Sequence, residues 1–244
     1  SRWTAAGQRG KNRVHPLNND KEERRAYIRE LQAKFAARGD SLGWFEELYK
    51  ESAGDNEQIT WADLEPKSYF RTWAESTGLK GEGRTALVVG CGLGDDAKYL
   101  HDLGFKVTAF DISPTAIEWA KKLYGEADID FVAADLFAPP SEWADGFDFV
   151  LEIYTIQPLP IEMRPQVIDA IAAFVARKGK LVVVTRGRED DVEPDILPWP
   201  MSRRDLSRFL ENGLTQTNFV VMPPVDEDEP PRFIVEYLRQ NRER

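Results

Sequence analysis

Apolar residues recur at spacings of three and four across residues 21–37, where Tyr27, Ile28, Leu31 and Phe35 share one side, and this predicts an amphipathic helix. A second helix is predicted over 41–52, with Trp44, Phe45, Leu48 and Tyr49 on one face. Pro66 sits at a favourable first-turn position for a third, over 67–77. From Thr85 the texture changes. Short apolar runs at 86–89, 106–110, 129–132, 147–153 and 181–185 read as buried strands, separated by helical patterns at 95–103, 114–124, 141–144 and 162–176. Such alternation predicts an α/β, doubly wound, mostly parallel sheet covered on both faces. Two further strands, 219–222 and 233–238, are joined by the acidic turn Asp226-Glu-Asp-Glu-Pro-Pro231, short enough for an antiparallel connection. The organisation expected is a disordered tail over 1–20, an N-terminal helical lid over 21–79 and the doubly wound domain over 80–244.

Composition narrows the class. At 244 residues, 42% hydrophobic and 30% charged, the chain has material for one sizeable core. Its net charge of −10 repels phosphate backbones and anionic lipid, so neither nucleic acid nor a membrane is the expected partner. No apolar run approaches the roughly 20 residues a membrane-spanning helix needs. The lone cysteine, Cys91, forms no internal disulfide, and a cytoplasmic setting is the simplest expectation. Glu189-Asp-Asp-Val-Glu193 reads as a solvated loop, and no cluster has metal-ligand spacing.

The chemistry is concentrated at Val-Val-Gly-Cys-Gly-Leu-Gly-Asp-Asp-Ala, residues 88–97. Its glycines, Gly90, Gly92 and Gly94, follow G-x-G-x-G, whereas the dinucleotide loop is G-x-G-x-x-G. Asp95 and Asp96 stand where a diphosphate would meet the helix N-terminus, and Asp95 also suits the helix cap. Asp111 closes the second predicted strand, placed to accept both hydroxyls of a ribose, and Asp135 closes the third. The ligand implied has a ribose, a base with a donor amino group and a cationic tail. S-adenosyl-L-methionine meets all three requirements.

The succession Val-Val-Gly-Cys-Gly-Leu-Gly, Phe-Asp-Ile-Ser, Ala-Ala-Asp-Leu and Phe-Asp-Phe-Val-Leu-Glu-Ile-Tyr resembles the class I methyltransferases over residues 84–186. The resemblance implies a seven-stranded, Rossmann-like sheet with an antiparallel last strand. Most such enzymes carry an acid two residues before the first glycine, where this chain has Val88. That departure, with Trp61-Ala-Asp upstream, looks like the thiol, halide and thiopurine branch. Carried over residue by residue, the resemblance implies that Gly90, Cys91, Gly92 and Gly94 wrap the methionine part and Asp111 holds the ribose. Ile112 and Leu136 would cover the adenine, Asp135 would contact its amino group, Glu152 or its backbone would face the cofactor and Trp61 would close over it.

Methyl transfer from a sulfonium is an in-line displacement that depends on alignment and exclusion of water. An alcohol or amine acceptor also needs a base. The two histidines are badly placed, His15 in the tail and His101 near the far end of a helix. A thiol, already a few per cent ionised at pH 7, needs less help, so a small thiol or other soft nucleophile is the expected acceptor. Tyr154 and Glu152 remain candidate bases for an O- or N-acceptor, and a non-catalytic cofactor-binding module is the third reading. Substrate is expected above the strand ends, against Tyr154, Gln157 and Arg186, under a lid of Trp44, Phe45 and Tyr49.

Overall fold

The computed structural model describes residues 21–62, 64, 67–194, 197–224 and 226–240. The expected tail, with His15, lies outside the described residues, as does Pro66. Seven strands form one sheet: β1 (Thr85–Val89), β2 (Lys106–Asp111), β3 (Ile129–Ala133), β4 (Phe147–Ile153), β5 (Val175–Arg186), β6 (Leu214–Met222) and β7 (Arg232–Arg239). Their order is β3-β2-β1-β4-β5-β7-β6. The first five run parallel, and β7 is inserted antiparallel between β5 and β6. The central strands are apolar almost throughout because both faces are covered, and Leu181, Val182, Val183 and Val184 are all fully buried.

Helices α1 (Lys21–Ala36), α2 (Gly43–Ser52) and α3 (Ser68–Thr77) precede the sheet. Within it lie α4 (Asp95–Asp102), α5 (Pro114–Tyr124), α6 (Arg164–Ala172), α7 (Arg203–Leu206) and α8 (Arg208–Glu211). The start of α5 follows from chemistry: Ser113 caps it by accepting the N–H of Ala116, and Pro114 occupies the first turn. The front helices divide between two tasks. Phe70, Trp73 and Ala74 of α3 join Ala86, Val88 and Val107 in the core on one sheet face. Ile28 and Leu31 of α1 and Trp44, Leu48 and Tyr49 of α2 form a separate cluster with Leu93 and Ala116, above the strand ends.

The helix expected over 162–176 stops at Ala172, after a 3-10 turn over Ile161–Met163. Val175 instead pairs with Phe147 and opens β5, twelve residues long. The register shifts between Phe147 and Phe149, and Lys178 has φ 60°, which a helix does not admit. Phe174 and Val175 are apolar at positions that continue the helical period, so spacing alone does not separate the two elements. The short α7, absent from the sequence expectation, begins with a capping box between Ser202 and Asp205.

Candidate functional site

The turn after β1 is built from backbone that only glycine adopts easily: Gly90, Gly92 and Gly94 have φ of 61°, 53° and 90°. A Cβ on Gly90 would lie 2.5 Å from Thr155 Oγ1, and one on Gly94 2.7 Å from the Phe131 ring. On Gly92 it would enter the space before Tyr49, 3.1 Å from the hydroxyl. The helix cap is Gly94, not Asp95. Asp95 sits in the first turn and accepts a hydrogen bond from the Tyr124 hydroxyl, while Asp96 accepts the backbone N–H of Lys67 at 2.9 Å. Cys91 is beside them, and burial, reinforced by Asp111, pushes its thiol well up, so it is no activated nucleophile.

Asp111 closes the floor of the site. Its carboxylate accepts the N–H of Gly92 at 2.9 Å and of Ser113 at 3.0 Å. Burial raises its pKa, and these two backbone bonds oppose the rise. Glu46 of α2 reaches across to the start of α5, where Ser113 Oγ donates to it at 2.5 Å and the Thr115 N–H at 3.2 Å. Burial works to raise this carboxyl, but the bonds from Ser113 and Thr115 outweigh it and the net shift is downward.

Above the strand ends lies a cavity of about 440 Å³, within the range of small-molecule sites. Its wall includes Gly90, Cys91, Gly92, Asp111, Ile112, Leu136, Tyr154, Gln157 and Arg186. Trp44, Phe45, Tyr49 and Trp61 roof it. These aromatics serve both as packing and as wall. Trp44 and Tyr49 are almost fully buried, Trp44 stacks on Phe45 at 3.8 Å, and Trp61 Nε1 donates to the Tyr49 hydroxyl at 2.8 Å.

Three expected residues fall off the wall. Gly94 caps α4 and packs toward the Phe131 ring, so it shapes the turn without lining the cavity. Asp135 accepts the N–H of Phe137 at 2.8 Å in a local turn, and its neighbours Ala134, Leu136 and Phe137 line the cavity in its place. Glu152 is fully buried, and one oxygen accepts the N–H groups of Thr155 at 2.6 Å and Ile156 at 3.0 Å. Burial raises its pKa to about 7 against those bonds, yet its carboxylate reaches neither the cavity nor an acceptor. His101 lies 3.5 Å from Asp102 on α4, also off the wall.

At the far end, Gln157 accepts the Thr185 hydroxyl and the N–H of Arg186, at 3.1 and 2.8 Å, so it braces the end of β5. The Tyr154 hydroxyl accepts from Arg232 Nε at 3.2 Å, and burial raises its pKa while Arg232 opposes. Arg25, Tyr69 and Arg232 also line this end, and the sequence reading missed them. Arg232 immediately precedes the strand expected over 233–238, and only the structure places that strand beside β5 and its end at Arg186.

The sheet order, the inserted antiparallel strand and the glycine turn define the Rossmann-like fold of the class I methyltransferases. Residues 86–179 match the family model of the methyltransferase domain. A curated relative, the malonyl-[acyl-carrier protein] O-methyltransferase of Anoxybacillus flavithermus, is 35% identical over 106 residues, 43% of this chain and 39% of that protein. The chain thus spans about two fifths of the length of that relative. Among solved structures, 1,6-didemethyltoxoflavin-N1-methyltransferase of Burkholderia thailandensis superposes with a TM-score of 0.62 at 14% identity, covering 86% of this chain and 91% of that one. The N-methyltransferase NodS of Bradyrhizobium japonicum gives 0.62 at 18% identity, covering 81% and 98%. Both were solved with S-adenosylhomocysteine, and at these identities they establish the fold. No helix among the described residues is long and apolar enough to cross a membrane.

Proposed function

We propose that this chain transfers the methyl group of S-adenosylmethionine to a small-molecule acceptor held above β4 and β5. One observation carries the reading. The bare glycine turn and Asp111 are tied into a single unit at one end of a 440 Å³ cavity, inside the segment that matches the methyltransferase-domain model. The residues suit the group. The space before Gly92 is one a Cβ would fill, Asp111 keeps lone pairs for a ribose, and Asp95, Asp96 and Asp111 favour a cationic tail over a diphosphate. Ile112 and Leu136 supply apolar walls for a purine.

The bound cofactor would supply an electrophilic methyl group on a sulfonium. The protein's part is positioning, worth up to roughly 7–11 kcal/mol, and exclusion of water by the roof of Trp44, Phe45, Tyr49 and Trp61. Among the described residues, neither candidate base is well placed for the acceptor. Glu152 is off the wall, and the Tyr154 phenol, raised by burial and bonded to Arg232, stays protonated near neutrality. An acceptor whose anion is accessible near pH 7 without a base fits best, and a thiol remains the first choice. The O-methyltransferase name of the curated relative supports an oxygen acceptor as the second reading. Calorimetry with S-adenosylmethionine, S-adenosylhomocysteine and NADH, then labelled-methyl transfer to thiols, phenols and amines, tests both levels. Heat from NADH alone would overturn the cofactor. Transfer to phenols or amines but never to thiols would overturn the acceptor.

A further inference from the structure

The cavity is electrically two-ended, and the second end specifies the acceptor more closely than its aromatic roof does. Along the sheet, Asp111 closes β2, the glycine turn follows β1, Tyr154 follows β4, Arg186 closes β5 and Arg232 opens β7. Adjacent strands lie about 4.8 Å apart, so the ends of β1 and β5 are separated by about 10 Å. The acids Asp95, Asp96 and Asp111 line the first end, and Arg186, Arg232 and Arg25 line the other.

The charges at the far end do not balance. Glu229, on the turn before β7, meets Arg232 at 2.8 Å, Arg25 at 3.5 Å and Arg186 at 4.0 Å. Three guanidinium groups thus share one carboxylate among the described residues. Arg232 is otherwise satisfied: it donates to Tyr154 Oη at 3.2 Å and to the Pro230 carbonyl at 2.6 Å, and lies over the Tyr69 ring at 5.2 Å. Arg186 is not. Its side chain is 16% exposed on the cavity wall, with its nearest carboxylate at the limit of an ion pair. Burial depresses the Arg186 guanidinium, and Arg232 and Arg25 add repulsion that Glu229 only partly offsets. Glu22 and Arg29, also on the wall, pair with each other at 3.2 Å. A half-buried cation facing open volume is stabilised by an anion that arrives with the ligand.

We propose that the methyl acceptor carries a carboxylate seated on Arg186, with Arg232 and Arg25 adding to the field, and that this anionic handle selects the substrate. The inference rests on the proposed methyl transfer for its assignment of the two ends. A planar fork suits a carboxylate bidentately, and Arg232, held between Tyr69 and Tyr154, keeps that pole in place.

The test titrates matched pairs, benzoate against benzamide and 3-phenylpropionate against its amide, into protein saturated with S-adenosylhomocysteine. The carboxylates are expected to bind roughly tenfold or more tighter than the amides. That preference should shrink with added salt, vanish in Arg186→Gln and return in part in Arg186→Lys, with S-adenosylhomocysteine affinity unchanged in both variants. Equal affinity within each pair, no binding by any member, or a preference that survives Arg186→Gln would overturn the proposal. So would a loss of S-adenosylhomocysteine affinity in Arg186→Gln, which would assign the guanidinium to the cofactor's own carboxylate. A wild-type protein that does not take up S-adenosylhomocysteine would instead defeat the underlying cofactor reading.

Discussion

Asp111 Oδ2 accepts the backbone N–H of Gly92 at 2.9 Å, so the end of β2 fixes the shape of the turn after β1. A group that shapes the turn and also faces the cavity affects both stability and binding. Asp111→Ala is expected to weaken S-adenosylhomocysteine roughly tenfold to a hundredfold, because the ribose loses an acceptor and the turn loses its anchor. Isothermal calorimetry measures this, and an unchanged affinity would count against the ribose role of Asp111.

Two glycines two residues apart should respond differently. Alanine at Gly90 would drive a methyl group into Thr155, whose hydroxyl bonds the Val89 carbonyl at 3.1 Å. Gly90→Ala should therefore lower stability by roughly 1–3 kcal/mol in urea unfolding. At Gly92 the added methyl enters the cavity. Gly92→Ala should unfold less readily than Gly90→Ala and show its larger defect in cofactor affinity. Equal profiles for the two variants would contradict this division.

Glu152 gives the fold a pH dependence. Its pKa is raised to about 7 in the folded protein, so the buried group holds its proton where the unfolded chain has lost it. Its contribution is full below the unfolded value of about 4.3, declines as pH rises and levels off above about 7. Glu152→Gln, neutral at every pH, should match the wild type near pH 4.5 and exceed it at pH 8 by an amount on the order of 3 kcal/mol. Urea unfolding across that range is the measurement, and parallel curves would refute the assignment.

The Glu46 carboxyl behaves in the opposite sense. Its pKa is lowered, so the contact it makes with Ser113 and Thr115 is present above the unfolded value and lost as pH falls through the folded one. Acidification below about pH 4 should loosen α2 from α5 before the sheet opens. Glu46→Ala should do so at neutral pH. Hydrogen exchange would record faster exchange over α1 and α2 with β1, β4 and β5 still protected. Uniform loss of protection across the chain would contradict a local role.

The sequence was most readable where one physical signal dominated. Residues 147–153 and 114–124 match the expected bounds, the first through a continuous apolar run, the second through a helical pattern whose start the Ser113 cap and Pro114 make sharp. The boundary near Ala172 was not, because Phe174 and Val175 satisfy helical spacing and strand burial alike. Within the site, the glycine turn and Asp111 were legible because they follow strand ends in a local pattern. The arginine end was only partly so. Arg186 was visible as a strand end, but Arg25 comes from α1 and Arg232 from a strand inserted antiparallel beside β5. Their convergence is a product of topology, which local periodicity does not encode.

The roof is fixed to the domain at opposite margins: Glu46 grips the start of α5, and Arg25 meets Glu229 on the hairpin before β7. The two margins are held unequally: Glu46 takes three hydrogen bonds from Ser113 and Thr115, whereas the partly exposed Arg25–Glu229 pair adds little, so the cover is secured chiefly at its α5 side.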